Sequence, residues 1–200
     1  MALLPNQDDV LHRSGVAGID VNFVYRIPDE AKVATSGNAG YRVGDYGLWV
    51  GNSGTAGDTA QIQSMRINVL TDFSKVISVF DLWVLESPVT DDVEVGSIDG
   101  SGVNADSGAY FDLTAEQYHV GATTKAATIP SAYTNTRLVI EEDFVNRETT
   151  FTQSARSTGV NESVTFGTVN SGNDRIVSYN SNGNSERSPT VARFRRVFMP

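Results

Sequence analysis

The sequence predicts an all-β chain, an antiparallel β-sandwich of jelly-roll-like type with about nine strands and one or two short helical turns. Three observations predict it. Polarity alternates with period two through most apolar segments, the pattern of half-buried strands. Clusters rich in Gly and Asn separate those segments at the spacing that sandwich strands show. Helical patterning is thin throughout.

The first strand is expected within IDVNFVYRI (19–27), where Ile19, Val21, Phe23, Tyr25 and Ile27 share a face. Asp20, Asn22 and Arg26 take the other face, with Val24 the exception. YGLWV (46–50) is a shorter run of the same kind, and QIQSMRINVL (61–70) sets Met65, Ile67 and Val69 opposite Arg66 and Asn68. SKVISVFDLWVLES (74–87) is apolar on both faces. It predicts a central strand covered on both sides that carries Trp83 into the core. A short strand is expected over DVEVGS (92–97), then RLVIEEDF (137–144), ETTFTQ (148–153), ESVTFGTV (162–169), DRIVSYN (174–180) and TVARFRRVF (190–198).

Between them lie TSGNAG (35–40), GNSGTAG (51–57), DGSG (99–102), NSGND (170–174) and NSNGNSERSP (180–189). Gly and Asn serve there because they accept positive φ at small steric cost. Helical turns are expected at DLTAEQYH (112–119), where Thr114 and Gln117 stand at capping-box spacing, and at DDVLHR (8–13). No repeat of a solenoid or propeller is visible. No shift of composition marks a boundary, so residues 1–200 are expected to form one domain. A chain of this length buries roughly 70% of its unfolded surface and needs no staple.

There is no cysteine, which excludes disulfides and thiolate metal sites, and His12 and His119 are too few for a multi-histidine centre. The N-terminal MALLPNQDDVLHRSG has no basic start and breaks its apolar run at Pro5, unlike a secretory signal. No stretch approaches the length of a membrane helix, so no membrane insertion is expected. Yet Gly, Ser, Thr and Asn abound and lysine occurs only at Lys32, Lys75 and Lys125. An extracellular composition without a signal suggests release by lysis, as for a virion protein made in the host cytoplasm. A trimmed extracellular protein is the alternative.

The net charge of −9 argues against direct nucleic-acid binding. Its distribution is uneven. Residues 1–150 carry 9 basic and 21 acidic side chains, a net −12, whereas residues 151–200 carry 6 arginines and 3 acids, a net +3. Arg193, Arg195 and Arg196 crowd into the last strand. An acidic body with a basic tail can complement a copy of itself. Ala192, Phe194 and Phe198 are expected inward, Arg193 and Arg195 outward, and Arg196 on the side of the phenylalanines. There it could meet a partner's carboxylate or sit at the sheet margin. All three arginines are candidate assembly contacts.

Asp99-Gly-Ser-Gly-Val-Asn-Ala-Asp106 offers oxygens at Asp99, Ser101, Asn104 and Asp106, with flexibility from Gly100 and Gly102. Calcium needs such oxygens in a turn, but EF-hand spacing is absent and Val103 stands where a ligand belongs. A plain strand connection is the first reading and a calcium site at Asp99, Asn104 and Asp106 the second; no other cofactor is expected. Glu141 and Asp143 share a strand face and could serve a glycosidase if about 5 Å apart. Glu94 and Glu148 compete with them, and a strand emerging into solvent looks the same. No nucleophile elbow, P-loop or dinucleotide fingerprint is present.

Aromatic rings beside Asn- and Asp-rich loops can stack on sugars while amides and carboxylates hold hydroxyls. In YRVGDYGLWVGN, Asp45 lies between tyrosines and Trp49 precedes Asn52. Tyr46, Trp49 and Asn52 are therefore candidate glycan contacts, against the competing reading of strand aromatics as core. The leading functional expectation is a non-enzymatic subunit of a large assembly, a capsid, decoration, head–tail or tail component, with copies of itself and other assembly proteins as partners. The alternative is a carbohydrate-binding, lectin-like module. The third is a β-sandwich polysaccharide-degrading enzyme.

Overall fold

The computed structural model describes residues 17–22, 31–35, 40–51, 60–64, 67–68, 73–84, 93–98, 108–131, 133–155, 160–169, 174–181 and 190–199. These residues form strands, turns and extended segments, with no helix among them. Along the chain run β1 (Ala17–Asn22), β2 (Ala31–Thr35), β3 (Gly40–Gly44), β4 (Gly47–Gly51), β5 (Ala60–Ser64), β6 (Ile67–Asn68), β7 (Lys75–Val84) and β8 (Val93–Ile98). Then come β9 (Gly108–Asp112), β10 (Gln117–Val120), β11 (Thr123–Ala126), β12 (Thr134–Asp143), β13 (Glu148–Ala155), β14 (Val160–Phe166), β15 (Asp174–Ser181) and β16 (Thr190–Met199).

The strands make two antiparallel sheets in a jelly-roll-like sandwich. The first has the order β14-β13-β12-β7-β16-β4-β3, with β1 also paired to β16. The second runs β11-β10-β9-β8-β15-β5-β2, with β6 also on β15. Sixteen described strands stand where about nine were expected. The additional ones include β10 and β11, four residues each, and β11 is exposed at every position. Strands so short and polar leave no periodic apolar signal.

The expected helical turn at 112–119 is a hairpin. Asp112 Oδ1 accepts from the Thr114 and Ala115 amides at 2.9 and 2.8 Å, which caps a turn rather than a helix. Glu116 takes a left-handed φ of 56°, and Gln117–Val120 pairs with β9 and β11. The ladder satisfies the backbone groups that a helix would otherwise have paired. The turn expected at 8–13 lies outside the described residues.

Alternation fixes what each sheet turns inward. Val76, Ser78, Phe80 and Leu82 of β7 are buried, while the residues between them are only half-buried. Over the described residues 75–83 one face alone is fully buried, where double cover was expected for 74–87, and Trp83 points away from the core. From the first sheet Phe80, Leu138, Ile140 and Phe151 meet Val95, Phe111, Tyr118 and Val120 of the second. Tyr118 stacks on Phe151 with ring centres 4.8 Å apart, joining the sheets. Its hydroxyl donates to Glu162 Oε1 at 2.6 Å, which also accepts from the Thr128 amide at 3.0 Å. Burial, and then Glu162, push the Tyr118 hydroxyl well above its ordinary pKa.

The register of β16 against β7 shifts between Val191 and Arg193, and beyond the shift the strand keeps the parity its sequence implied. Phe194, Arg196 and Phe198 then face inward together, all buried. Arg196 is 0% exposed, its Nε donates to Ser78 Oγ at 3.1 Å, and its guanidinium lies 5.8 Å from the Phe194 ring centre. Its expected place at an assembly contact is corrected here: a partner cannot touch a side chain enclosed between the sheets. A buried guanidinium needs such local partners, because losing water without them is costly.

Candidate functional site

The outward face of the first sheet is ordered in rows. Along β7 it presents Lys75, Ile77, Val79, Asp81 and Trp83. Register sets Met199 and Asp143 beside Lys75, Val197 and Glu141 beside Ile77, and Arg195 and Val139 beside Val79. Arg193 and Arg137 flank Asp81, and Thr190 and Asn135 flank Trp83.

Asp81 is the hub of one row. Arg137 Nε and Nη2 donate to its two carboxylate oxygens at 2.6 and 3.1 Å, a bidentate pair. The Asp81 hydrogen bond holds the Arg137 guanidinium above its usual pKa, while partial burial and the nearby Arg193 charge pull it back. Even so paired, the Arg137 side chain stays 51% exposed.

One step beyond that row two rings meet. Tyr46 sits in the Asp45–Tyr46 turn between β3 and β4, closed by Gly47 at φ 103°. Its ring stands edge-on to Trp83, with centres 5.1 Å apart and planes at 61°. Tyr46 is 49% exposed, and Tyr133, the residue before β12, is 74% exposed. Asn135 is exposed at the register position beside Trp83. An open ring edge, an exposed amide and a carboxylate–guanidinium pair thus share one corner. Rings of this kind offer an apolar face with a polar rim, suited to a ligand that alternates C–H faces with hydroxyls.

At the other end of the same face, Lys75 Nζ lies 2.5 Å from Glu141 Oε1 and 3.4 Å from Asp143 Oδ2. Asp143 Oδ1 also accepts from the Val145 and Asn146 amides, at 3.0 and 2.8 Å. The Asn146 amide, and after burial is offset its side chain and Lys75, hold the Asp143 carboxyl below the usual range. Glu141 and Asp143 share an outward face, as alternation implied, but both are engaged by one lysine. A catalytic pair has one acid kept protonated and one free carboxylate; this cluster is a salt-bridged turn. Glu142 points the other way and is fully buried.

The second sheet turns a different surface outward. Tyr110 stacks on His119 with centres 4.5 Å apart and planes at 12°. Gly96 is opposite Tyr110 in register, and a Cβ there would lie 2.5 Å from Tyr110 Cα and closer still to the Ala109 carbonyl. Only glycine allows that approach. Glu94 and Tyr110 are 2% and 4% exposed, and His119 Nε2 is buried without a hydrogen-bond partner. Burial draws the His119 pKa below its ordinary value, and the Asp112 charge opposes the shift.

Of the residues singled out from sequence, Tyr46 is on the ring corner, and Arg193 and Arg195 belong to the outward rows. Trp49 lies in β4 opposite Arg42. Asn52, Asp99, Asn104 and Asp106 fall outside the described residues. Among the described residues no group of three or more His, Asp or Glu could hold a metal ion. Sequence reasoning placed Trp83 in the core and did not single out Asn135, its register neighbour. The signal was present: Trp83 shares its parity with Lys75 and Asp81, two charges that belong in water.

No family model and no curated protein sequence matches the chain. Solved structures do. The chain is similar to peanut lectin, with a TM-score of 0.67 at 6% identity over 91% of this chain and 97% of that one. It is similar to lectin UEA-II in complex with galactose, at 0.64 and 11% identity over 92% and 98% of the two chains. The fold is a lectin-like sandwich. A protein of unknown function from Shewanella oneidensis MR-1 has it too, with a TM-score of 0.65 and 10% identity over 99% and 96% of the chains. At these identities the likeness extends to the fold alone.

Proposed function

We propose that this chain is a non-catalytic carbohydrate-binding module of lectin-like type, and that the corner of Tyr46 and Trp83 receives the sugar. The observation that carries the reading is the exposed Tyr46 ring set edge-on to the half-buried Trp83, beside Asn135 and the Asp81–Arg137 pair. Rings stack on the C–H face of a pyranose, while the amide and the charged pair bond its hydroxyls. The fold likeness supports the same reading, since the neighbours include a lectin solved with galactose. It favours carbohydrate binding over the virion role expected from composition.

The test is a glycan array on the full chain, followed by calorimetry on the best ligand. Trp83→Ala is expected to weaken binding at least about tenfold, or ~1.4 kcal/mol, with an unchanged circular dichroism spectrum because the ring is not in the core. Tyr46→Ala should weaken it less. No bound glycan on the array would remove the reading; wild-type affinity in Trp83→Ala would move the site elsewhere.

A further inference from the structure

The outward face of the first sheet is self-complementary, and we infer that it docks a second copy of this chain, face to face with strands antiparallel. The inference does not rest on carbohydrate binding.

The argument begins at the centre of the face. Ile77, Val79, Val139 and Val197 are half-buried there and contiguous across β16, β7 and β12. Apolar side chains side by side on an outward sheet face mark a contact surface. Arg195 and Glu141 share these two rows, and further charge lies on either side of them along the strands. One end has Arg137 and Arg193 about Asp81; the other has Glu141, Asp143 and Glu148 about Lys75.

Consider a two-fold axis lying between the copies and crossing β7 at Ser78. Each strand then faces its own copy reversed. Val79 meets the copy's Ile77, Asp81 meets the copy's Lys75, and Arg137 meets the copy's Asp143. In these pairs opposite charges meet and each existing ion pair extends into a four-charge network. Arg193, Arg195, Glu141 and Glu148 face the copy's Met199, Val197, Val139 and Ser154, so no like charges are opposed. An axis along the strands instead would bring Arg193 against Arg137. Charge therefore selects one of the two orientations. Such a contact is isologous, as closed dimers require.

The large hydrophobics that are exposed among the described residues are Tyr46, Tyr133, Val145 and Met199, two at each end of these strands. Five strands about 4.8 Å apart over seven residues of ~3.3 Å each give roughly 550 Å² per copy. The total of about 1,100 Å² is at the low end for specific interfaces, so the dimer should be weak and concentration-dependent. Trp83 and Tyr46 lie beyond the Asp81 row at the rim, so the rings belong to the sugar corner alone, whereas Asp81 and Arg137 serve both it and the contact.

The chain lacks cysteine, which permits a direct test of register. Ser154 and Glu148 are exposed at the two ends of β13, in the rows of Asp81 and Lys75. Sedimentation of the wild-type chain over a concentration series is expected to show monomer and dimer, with Val79→Lys monomeric and unchanged in circular dichroism. A short bismaleimide should join Ser154→Cys to Glu148→Cys when the two are mixed, and join neither variant to itself. A wild-type monomer at every concentration, a dimer that survives Val79→Lys, or Ser154→Cys joined to itself would each overturn the inference. Failure here leaves the glycan array unaffected, so the two readings fail separately.

Discussion

On the outward face of the first sheet, the ion pairs keep charge in water: Arg137 is half exposed over Asp81, and Lys75 holds Glu141 and Asp143. On the outward face of the second, Glu94 and Tyr110 are almost completely withdrawn from solvent, Tyr110 against His119 and the bare backbone of Gly96. Both faces come from the same period-two alternation. Parity says only that two sides exist; burial depends on what each side meets. Where water remains, a lost partner is replaced by solvent and costs little. Where water is gone, each atom depends on a specific neighbour.

The largest effect should therefore come from the second face. Gly96→Ala puts a methyl group into the β9 backbone, which cannot move aside as a flexible side chain would. A loss of about 3 kcal/mol is expected, read as a lower urea midpoint with an unchanged slope. Little change would show that β8 and β9 part easily, and would weaken the contrast between the faces.

Next in size is an interior test. Ser78→Ala leaves the Arg196 Nε without its acceptor between the sheets, a loss of about 2 kcal/mol. Arg137→Ala on the wet face should cost under about 1 kcal/mol. The urea midpoints of the two variants compare a buried guanidinium with an exposed one directly.

Acidification sharpens the comparison by pH. His119 is held neutral below its ordinary 6.5, so below that pH the unfolded chain binds a proton that the folded chain refuses. Stability then falls as pH drops from 6.5 toward the lower folded value. His119→Gln should flatten that part of the curve. Asp143 is depressed from 3.8, so its contribution is present above that value and lost only as pH falls through the lower folded one. Urea midpoints from pH 7.5 down to 3 should show two separate declines, the upper one absent from His119→Gln.

Much of this was legible in sequence. The period-two runs at 19–27, 137–144, 148–153 and 190–198 all contain described strands, and the apolar parity of β12 and β13 matches their buried faces. Edge strands such as β11 were not legible, because four exposed residues carry no apolar signal. The candidate site was half legible. Tyr46 was marked by its turn, whereas Trp83 was assigned to the core because valine and isoleucine fill both sides of its strand.

The alternation, the turn chemistry and the absence of cysteine by themselves determined an antiparallel sandwich without staples. Tertiary structure decided which parity of β7 faced inward, that Arg196 would be enclosed against Ser78, and that Tyr46 would meet Trp83. The physical reason is range. Alternation and turns are set by neighbouring residues, whereas the choice of face, register and sheet order comes from pairing strands far apart in the chain, and is fixed only when both sheets bury their apolar sides together.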